Sequence, residues 1–514
     1  MAAGKSPILK LALFATGLSG IVAEYILSTL ATYFLGDSAV QWSLIVSVML
    51  FSMGLGSRLS KYMDGNLLVT FIWVEFALSI LVSFSSLFAY TVAGFSDYAG
   101  FFIYTLSIAI GALIGLEIPL VIRLNEKFES LKVNVASVME KDYLGSLVGG
   151  LFFAFVGLPY LGLTYTPFVL GCINLIVALV LLYTLRKEVP AQTRGWITAS
   201  GGLITIVIVA GLFLAQPIIL FGEQARYKDK IVYAKQSRYQ RIVMTQWKDH
   251  YWLFLNGNQQ LSTLDEDKYH EPLVHPIMQL AKQKKDILVL GGGDGCAVRE
   301  ILKYPEVQHI TLIDLDSVMT NLGRQHPILT NLNENALNHE KVRIINTDGF
   351  NYLEKTRDFY DVIIVDLPDP RSVELNRLYT EEFYSLCYRS LRPQGMMITQ
   401  AGSPYYATRA FLCINRTMAA AGFETAKLHN QVITLGEWGW ILGTRPTPDR
   451  NALKERLQQL HFENVETQWI NHEAMQLMTS FGKNIYIPTD TAAINRIQHP
   501  VLYRYYLNGN WDLY

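Results

Sequence analysis

Apolar segments before residue 222 constrain this 514-residue chain more than any other feature of its sequence. They lie near residues 8–30, 38–58, 66–93, 99–123, 139–160, 163–185 and 196–220. Such segments reach the roughly 20 residues that a helix needs to cross a bilayer. The sequence therefore predicts an all-α transmembrane helical bundle of about 7 spans over residues 1–221. A multi-pass protein of the cell (inner) membrane, with the lipid bilayer as a partner, is expected.

The apolar half has a higher hydrophobic content than the rest of the chain. The chain is 51% hydrophobic with a mean hydropathy of +0.21, and nearly all of the excess lies before residue 222. The formal net charge of −1 creates no overall field that would attract nucleic acid, so no nucleic-acid partner is expected. The cysteines form no Cys-x-x-Cys pair and no metal-ligand spacing, which indicates reduced, packed thiols.

Lysine and arginine residues are concentrated in the even-numbered loops between the apolar segments. These residues are Arg58, Lys61, Arg123, Lys127, Lys132, Arg186, Lys187 and Arg194. By the positive-inside rule, the even loops and the amino terminus are cytoplasmic. Seven full crossings would then place the second half of the chain outside the cell, unless one segment does not cross. The last segment is the weakest candidate for a membrane span, because Gly201 and Gly202 interrupt its apolar sequence.

After residue 222 the chain changes from apolar segments to alternating patterns. Residues 229–262 alternate apolar and polar side chains, and Asn256-Gly257 is a strong hairpin signal. A small antiparallel β part is therefore predicted over 222–285. Residues 286–445 repeat strand and helix, which predicts a Rossmann-like α/β doubly wound domain. Residues 446–514 form a C-terminal extension whose hydrophobic pattern is mixed and less clearly predicts secondary structure.

A glycine turn after a buried strand marks the candidate ligand site. The run Gly291-Gly292-Gly293-Asp294-Gly295 precedes Asp314 by about the 20 residues that a nucleoside site requires. Ligands of doubly wound sheets bind beyond the carboxyl ends of the strands, where Asp348, Asp366 and Asp369 are also expected. The glycine turn and Asp314 alone fit an NAD enzyme and an S-adenosylmethionine enzyme equally well.

The glycine turn belongs to a longer ordered set of motifs. These are Ser237–Gln240, Leu255–Gln260, Asp265–Glu271, Gly291–Gly295, Asp314–Asp316, Asp348-Gly349, Asp366–Pro370 and Leu378–Thr380. Together they resemble the spermidine synthase family, the polyamine aminopropyltransferases. The apolar half resembles the multi-spanning extension that some membrane-bound bacterial members carry before the catalytic domain.

The resemblance implies an enzyme that moves the aminopropyl group of decarboxylated S-adenosylmethionine to putrescine, giving spermidine and methylthioadenosine. Decarboxylated S-adenosylmethionine would be a co-substrate, with no cofactor beside it. The partner would be a small-molecule amine. Relatives usually associate through the sheet region, so a homo-oligomer is also expected.

The resemblance also assigns roles to individual side chains. Asp366 would be the general base that accepts a proton from the attacking amine. Donor-binding side chains would be Gln240, Asp294, Asp314 and Asp348, which hold the donor's methionine-derived end, its amine, the ribose hydroxyls and the adenine. Acceptor-binding side chains would be Gln260, Tyr269, His270, Asp369 and Trp438, with Asp369 anchoring a cationic end. The acids suit this chemistry, because an ammonium with a pKa of about 10.4 cannot attack until it loses a proton.

The acceptor side departs from the family pattern, whereas the donor side is intact. Pro368 stands where the family usually has Thr or Ser, and Ile433 where it has a tyrosine that touches the acceptor. Asn256 replaces the usual aspartate of the hairpin. Transfer to another di- or polyamine is therefore an alternative to putrescine.

No metal site is predicted. His270 and His275 make a near miss for the zinc motif His-Glu-x-x-His. The extra residue between them turns the second histidine roughly 140° away from the first on a helix, and Pro272 disturbs the turn.

Other functions fit parts of the sequence. An S-adenosylmethionine-dependent methyltransferase on the same fold would keep Asp314 and Asp348, but it needs no pair such as Asp366 and Asp369. An NAD dehydrogenase would need hydride-transfer residues, which do not accompany the glycine turn.

Acids inside the apolar segments motivate a membrane polyamine sensor or transporter. Glu24, Glu75 and Glu117 are such acids, and an ionisable residue within a membrane is a functional-site hypothesis by default. Internal pairing, for instance with Lys141, is the structural alternative. The catalytic domain is expected on the cytoplasmic side, because its donor is made there, although the loop charges conflict with this placement.

Overall fold

The computed structural model describes residues 6–96, 98–126, 128–446, 452–482 and 492–511. The chain divides into two compact units, Met1–Ile231 and Val232–Tyr514. The first unit is helical and the second is built around two β-sheets.

The helical unit contains eight α-helices among its described residues. They are α1 Ser6–Leu35, α2 Ser38–Leu59, α3 Leu67–Ser83, α4 Ser85–Phe95, α5 Ala99–Asn125, α6 Leu131–Phe152, α7 Gly162–Thr184 and α8 Ala191–Gln224. A π-helical stretch, Phe153–Leu161, joins α6 to α7. The prediction of an all-α first half is confirmed.

Five described helical stretches are long and apolar enough to cross a membrane, or six if the bent pair α3 and α4 counts as one span. One of the five, Leu131–Thr184, contains two of the seven predicted segments. The chain does not run straight through it, because Gly162 has a φ of +63° and the Thr166 hydroxyl donates to the Gly157 carbonyl at 2.9 Å. Nine residues of straight helix would separate these groups by about 13 Å. The number of crossings stays a prediction.

The basic loops and the first residues of α1 share one end of the helical unit. Arg123 donates to the Ser60 carbonyl at 2.9 Å, and Lys10 pairs with Glu129 at 2.6 Å. At the same end, Asn66 donates to the Glu188 carbonyl at 3.1 Å. The last turn of α8 lies at the other end of the unit, since Tyr33 near the end of α1 donates to Glu223 at 3.2 Å. The segment 196–220, the weakest predicted span, therefore belongs to a helix that runs the full length of the unit.

Glu75 and Glu117 are deeply buried acids of the helical unit. Glu75 is 0% exposed and Glu117 is 2% exposed. Neither carboxylate oxygen of Glu75 has a hydrogen-bond partner among the described residues. Lys141, the partner suggested by the sequence, instead pairs with its neighbour Glu140 at 2.8 Å.

The smaller sheet of the second unit is antiparallel, with strand order β1-β2-β3-β4. Its strands are β1 Lys230–Gln236, β2 Arg241–Trp247, β3 His250–Leu255 and β4 Asn258–Ser262. Asn256 and Gly257 connect β3 to β4 with φ values of +50° and +78°, as a two-residue type I′ turn requires. The predicted small antiparallel sheet is confirmed.

The larger sheet has seven strands in the order β10-β11-β9-β8-β5-β6-β7. They are β5 Asp286–Gly291, β6 His309–Asp314, β7 Val342–Asn346, β8 Tyr360–Asp366, β9 Leu391–Gln400, β10 Glu424–Val432 and β11 Gly436–Thr444. Strands β5 to β9 are parallel, and β10 and β11 are antiparallel additions at one edge. The predicted doubly wound sheet is confirmed. β10 lies at the edge of the sheet, which suits its polar side chains.

Helices cover both faces of the larger sheet. They are α9 Asp267–Leu280, α10 Cys296–Leu302, α11 Ser317–Gln325, α12 Pro327–Leu332, α13 Gly349–Lys355, α14 Val373–Asn376, α15 Glu381–Ser390, α16 Thr408–Ala420, α17 Ala452–Gln458, α18 His472–Met478 and α19 Leu502–Leu507. Residues after 446 join both hydrophobic cores: Ile470 and Met475 pack with one face, and Leu502 and Tyr506 with the other.

Candidate active site

Aspartates collect at the carboxyl ends of the parallel strands. Asp314 ends β6 and Asp366 ends β8, while Asp294 lies in the turn after β5. Strands β5 and β8 are neighbours, and Gly291 is the register partner of Asp366. The strand order changes direction beside this pair, which is where open α/β sheets bind their ligands.

Asp366 is hydrogen-bonded to a tyrosine of α9. The Tyr269 hydroxyl donates to Asp366 Oδ1 at 2.8 Å, and Tyr269 is 9% exposed. Burial raises the pKa of Asp366 to about 6, with a further rise from the charge of Asp294, against the opposing effects of His270 and Tyr269. A carboxyl group with such a pKa is mostly ionised at neutral pH and can accept a proton.

His270 is a buried cation beside these acids. Its Nδ1 lies 2.8 Å from Glu266 Oε2, and its Nε2 lies 3.8 Å from Asp294 Oδ1. Burial alone would lower the pKa of His270, but the hydrogen bond and charge of Glu266, with the charges of Asp294 and Asp366, raise it to about 9. Arg299 in turn holds Glu266, with an Nη1–Oε1 distance of 2.8 Å.

The acids predicted to bind the donor accept different hydrogen bonds from the protein. Asp314 Oδ1 accepts from the Asp316 amide at 2.8 Å, and burial is the main reason that the pKa of Asp314 rises to about 7. Asp348 caps α13, accepting from the Asn351 amide at 2.8 Å. Gln240 donates to Asp316 Oδ2 at 3.0 Å, so its amide contacts the residue two positions after the predicted ribose ligand.

Asp369 lies three residues after Asp366 and is bound from several sides. The Tyr506 hydroxyl donates to its Oδ2 at 2.5 Å, and Gln400 donates to its Oδ1 at 3.5 Å. Arg371 Nη2 lies 3.6 Å from Asp369 Oδ2. Burial raises the pKa of Asp369, against the charge of Arg371 and the hydrogen bonds of Tyr506 and Gln400.

Sequence comparisons with known proteins point to one enzyme family. The family model for the spermine/spermidine synthase domain matches residues 266–454. A solved spermidine synthase in complex with the transition state analogue AdoDATO is 27% identical, with a TM-score of 0.45, and the match covers 49% of this chain and 86% of that chain. Polyamine aminopropyltransferase 2 of Aquifex aeolicus is 40% identical over 98% of both chains. Polyamine aminopropyltransferase of Oceanobacillus iheyensis is 38% identical over 96% of both.

The chain belongs to the polyamine aminopropyltransferase family. The similarity extends through the apolar half as well as the catalytic unit, because the curated relatives match over nearly their whole length. The prediction of an aminopropyl-transferring enzyme is confirmed, with decarboxylated S-adenosylmethionine as a co-substrate and no further cofactor.

Two of the predicted acceptor residues of this aminopropyltransferase make their described contacts with groups other than the site aspartates. Gln260 donates to the backbone carbonyls of Asn258 and Gln259, each at 3.2 Å. Trp438 is 8% exposed in the hydrophobic core, and its indole N–H has no partner among the described residues. Neither side chain hydrogen-bonds to a site aspartate within the described part of the chain. Ile433 is 65% exposed.

Among the residues that the structure describes, three groups of side chains have ligand atoms within 4.8 Å of one another and could hold a metal by distance alone. They are Glu266, His270 and Cys296; His270, Asp294 and Asp366; and Glu271, His275 and Glu300. The third group is engaged in other contacts. Glu300 lies 2.8 Å from His275 and 2.7 Å from Lys303. Glu271 accepts the backbone N–H groups of residues 468–470. The predicted absence of a metal site stays a prediction.

The sequence reasoning missed several residues around Asp369. Tyr379 donates to the Pro368 carbonyl at 3.0 Å, and Gln400 at the end of β9 donates to Tyr379 at 2.5 Å. Tyr379 belongs to a family motif and could have been found from it. Arg371, directly after the Asp366–Pro370 motif, was visible as a charge. Nothing in the local pattern around Tyr506 pointed to the site.

Proposed function

We propose that this enzyme transfers the aminopropyl group of decarboxylated S-adenosylmethionine to putrescine and releases spermidine and methylthioadenosine. The observation that carries the proposal is the 2.8 Å bond from Tyr269 to Asp366, three residues before Asp369. In this proposal Asp366, at the end of β8, is the proton-accepting carboxylate, and Asp369, three residues later, is the second carboxylate. A diamine needs both, one at each nitrogen.

The donor is held by the remaining acids in this proposal. Asp294 pairs with the amine of the donor, Asp314 binds the ribose hydroxyls and Asp348 binds the adenine. Gln240 supports this side through Asp316, which it contacts at 3.0 Å. The glycine turn allows the backbone to approach the ligand closely, as nucleoside sites of this type require.

Asp366 acts on the attacking nitrogen. It accepts the proton of that nitrogen, whose electron pair forms a bond to the methylene carbon next to the sulfonium sulfur. The carbon–sulfur bond breaks and its electron pair stays on sulfur, which leaves neutral methylthioadenosine. Because a charge disappears from sulfur, positioning and desolvation contribute more here than the stabilisation of an anion.

The proposal extends to the location and assembly of the protein. The helical unit lies in the cell membrane, and the catalytic unit faces the cytoplasm, where the donor is made. The described helices that are long and apolar enough to cross a membrane support the first statement. A homo-oligomer is proposed on the behaviour of the family.

The test is release of methylthioadenosine by the purified full-length protein. The donor is supplied with putrescine, cadaverine or spermidine in separate reactions. Asp366→Asn is expected to lower kcat by about 10²- to 10⁴-fold while donor binding persists. Asp358→Asn, a matched change at an exposed position of the same unit, should leave kcat unchanged.

Each outcome separates the candidate functions. Release with putrescine that Asp366→Asn abolishes supports spermidine synthesis. Release only with another amine identifies a different acceptor, the alternative raised by Pro368 and Ile433. Donor binding without release with any amine would contradict the proposal and favour a sensor or a methyltransferase.

A further inference from the structure

Arg371 is a positive charge placed beside a carboxylate that is expected to bind another cation. Its Nη2 lies 3.6 Å from Asp369 Oδ2. The Arg371 side chain is 41% exposed, whereas the Asp369 side chain is 11% exposed. A cation that approaches Asp369 therefore meets a guanidinium group that already shares the carboxylate.

Surrounding side chains fix the position of this guanidinium. Arg371 Nη1 donates to Asn258 Oδ1 at 2.6 Å, and Nη2 donates to the Tyr506 hydroxyl at 3.3 Å. The guanidinium carbon lies 5.3 Å from the ring centroid of Tyr506 and 5.8 Å from that of Trp511. Contacts from the β3–β4 hairpin and from the last described residues thus hold the charge in place.

The Asp369 carboxylate already accepts hydrogen bonds from two neutral side chains. Tyr506 donates to its Oδ2 and Gln400 to its Oδ1. Two cations at one carboxylate repel each other, and this repulsion grows with each further charge on the ligand.

From this arrangement we propose that Arg371 is a specificity-determining residue that shares Asp369 with the acceptor and discriminates against amines of higher charge. The inference rests on the proposed function, because it takes Asp369 as the anchor of the acceptor's cationic end. Arg371 weakens the binding of every ammonium at Asp369. It weakens a triamine more than a diamine, since the additional ammonium adds to the repulsion.

The test compares Arg371→Gln and Arg371→Met with Arg371→Lys in the full-length protein. Both neutral variants are expected to lower the KM for putrescine about fivefold, with kcat nearly unchanged, because Asp366 is left intact. Spermidine, measured as an acceptor or as a competitive inhibitor, should gain about tenfold in affinity relative to putrescine. Arg371→Lys keeps the charge and should keep the wild-type preference.

Controls separate the effect of charge from a change of structure. Arg324→Gln removes an arginine whose Nε donates to Asn338 Oδ1 at 2.9 Å, and it should leave both constants at wild-type values. The thermal unfolding of each variant shows whether it is folded. Two neutral residues of different shape are used, so one folded variant is enough to decide.

A KM for putrescine that stays unchanged or rises in a folded neutral variant would overturn the inference. The same holds if Arg371→Lys behaves like Arg371→Gln, because the effect would then depend on shape and not on charge. Failure of the proposed function looks different, since the wild-type protein would release no methylthioadenosine with any of the amines.

Discussion

At the scale of single residues, the site separates the pKa values of neighbouring groups. The pKa of Asp366 rises to about 6 and that of His270 to about 9. At neutral pH one is therefore a carboxylate and the other a cation, and Glu266 and Asp294 both favour the charged form of the histidine. Groups with separated pKa values at one site are typical of acid–base chemistry.

The pH dependence of kcat should report Asp366. Its carboxylate form is the base, so protonation below its pKa of about 6 removes activity, and kcat at saturating donor and amine should fall about tenfold per unit below pH 6. Asp314, with a pKa of about 7, should instead affect the KM for the donor. A kcat that stays constant down to pH 5 would contradict the assignment of Asp366.

Tyr269→Phe tests the hydrogen bond to the base. The hydroxyl donates to Asp366 at 2.8 Å and stabilises its ionised form. Its removal should raise the pKa of Asp366, move the acid limb of the kcat profile to higher pH and lower kcat about tenfold. Tyr352→Phe, which removes a hydroxyl bonded to Tyr360, is the matched control. An unshifted profile would show that Tyr269 does not act on the base.

At the scale of elements, the site depends on how closely β5 approaches β8. Gly291 ends β5 with a φ of +85°, and a Cβ atom there would lie 1.9 Å from the Asp366 carbonyl oxygen. Gly292 then donates to the same carbonyl at 3.1 Å. The backbone of the glycine turn and the position of the base are thus fixed by one contact.

Gly291→Ala should therefore remove activity, because the added methyl group forces β5 and β8 apart at Asp366. Gly422→Ala is the matched control: it also has a positive φ, +102°, but the nearest atom to its Cβ would lie 3.7 Å away. The control carries only the conformational cost, about 1–2 kcal/mol, and should keep its kcat. Equal losses in both variants would contradict a specific role for the contact. Turnover and thermal unfolding are the measurements.

At the scale of the whole molecule, the loop charges of the helical unit conflict with the proposed cytoplasmic location of the catalytic unit. Its basic loops share one end, and α8 ends at the other, near Tyr33. The positive-inside rule would place the basic end in the cytoplasm. If α8 crosses the membrane, the proposal that the catalytic unit is cytoplasmic requires the basic end to lie outside the cell.

Labelling of intact cells with a membrane-impermeant maleimide distinguishes these arrangements. Asp64→Cys marks the basic end, where the side chain is 88% exposed. Asp358→Cys marks an exposed position of the catalytic unit. We expect Asp64→Cys to react in intact cells and Asp358→Cys only after permeabilisation. The opposite pattern would place the catalytic unit outside, and wild-type cells control for the native cysteines.

Local sequence patterns determined the elements and the identity of most site acids. Long apolar runs have few stable forms other than helices, and the alternation after residue 222 has the period of strands. Asp294, Asp314 and Asp366 could be predicted to converge, because the carboxyl ends of parallel strands meet at one edge of a sheet. Family motifs added Tyr269, whose contact with Asp366 the structure shows.

Tertiary structure alone decided what surrounds Asp369. Tyr506 lies 137 residues from Asp369 along the chain, and Asn258, which holds Arg371, lies 113 residues before it. No local period records such contacts, because they depend on how the hairpin and the last helix pack around the sheet. The same reason explains why Gln240 contacts Asp316. The sequence specifies which groups carry charge, and packing specifies which of those charges share a partner.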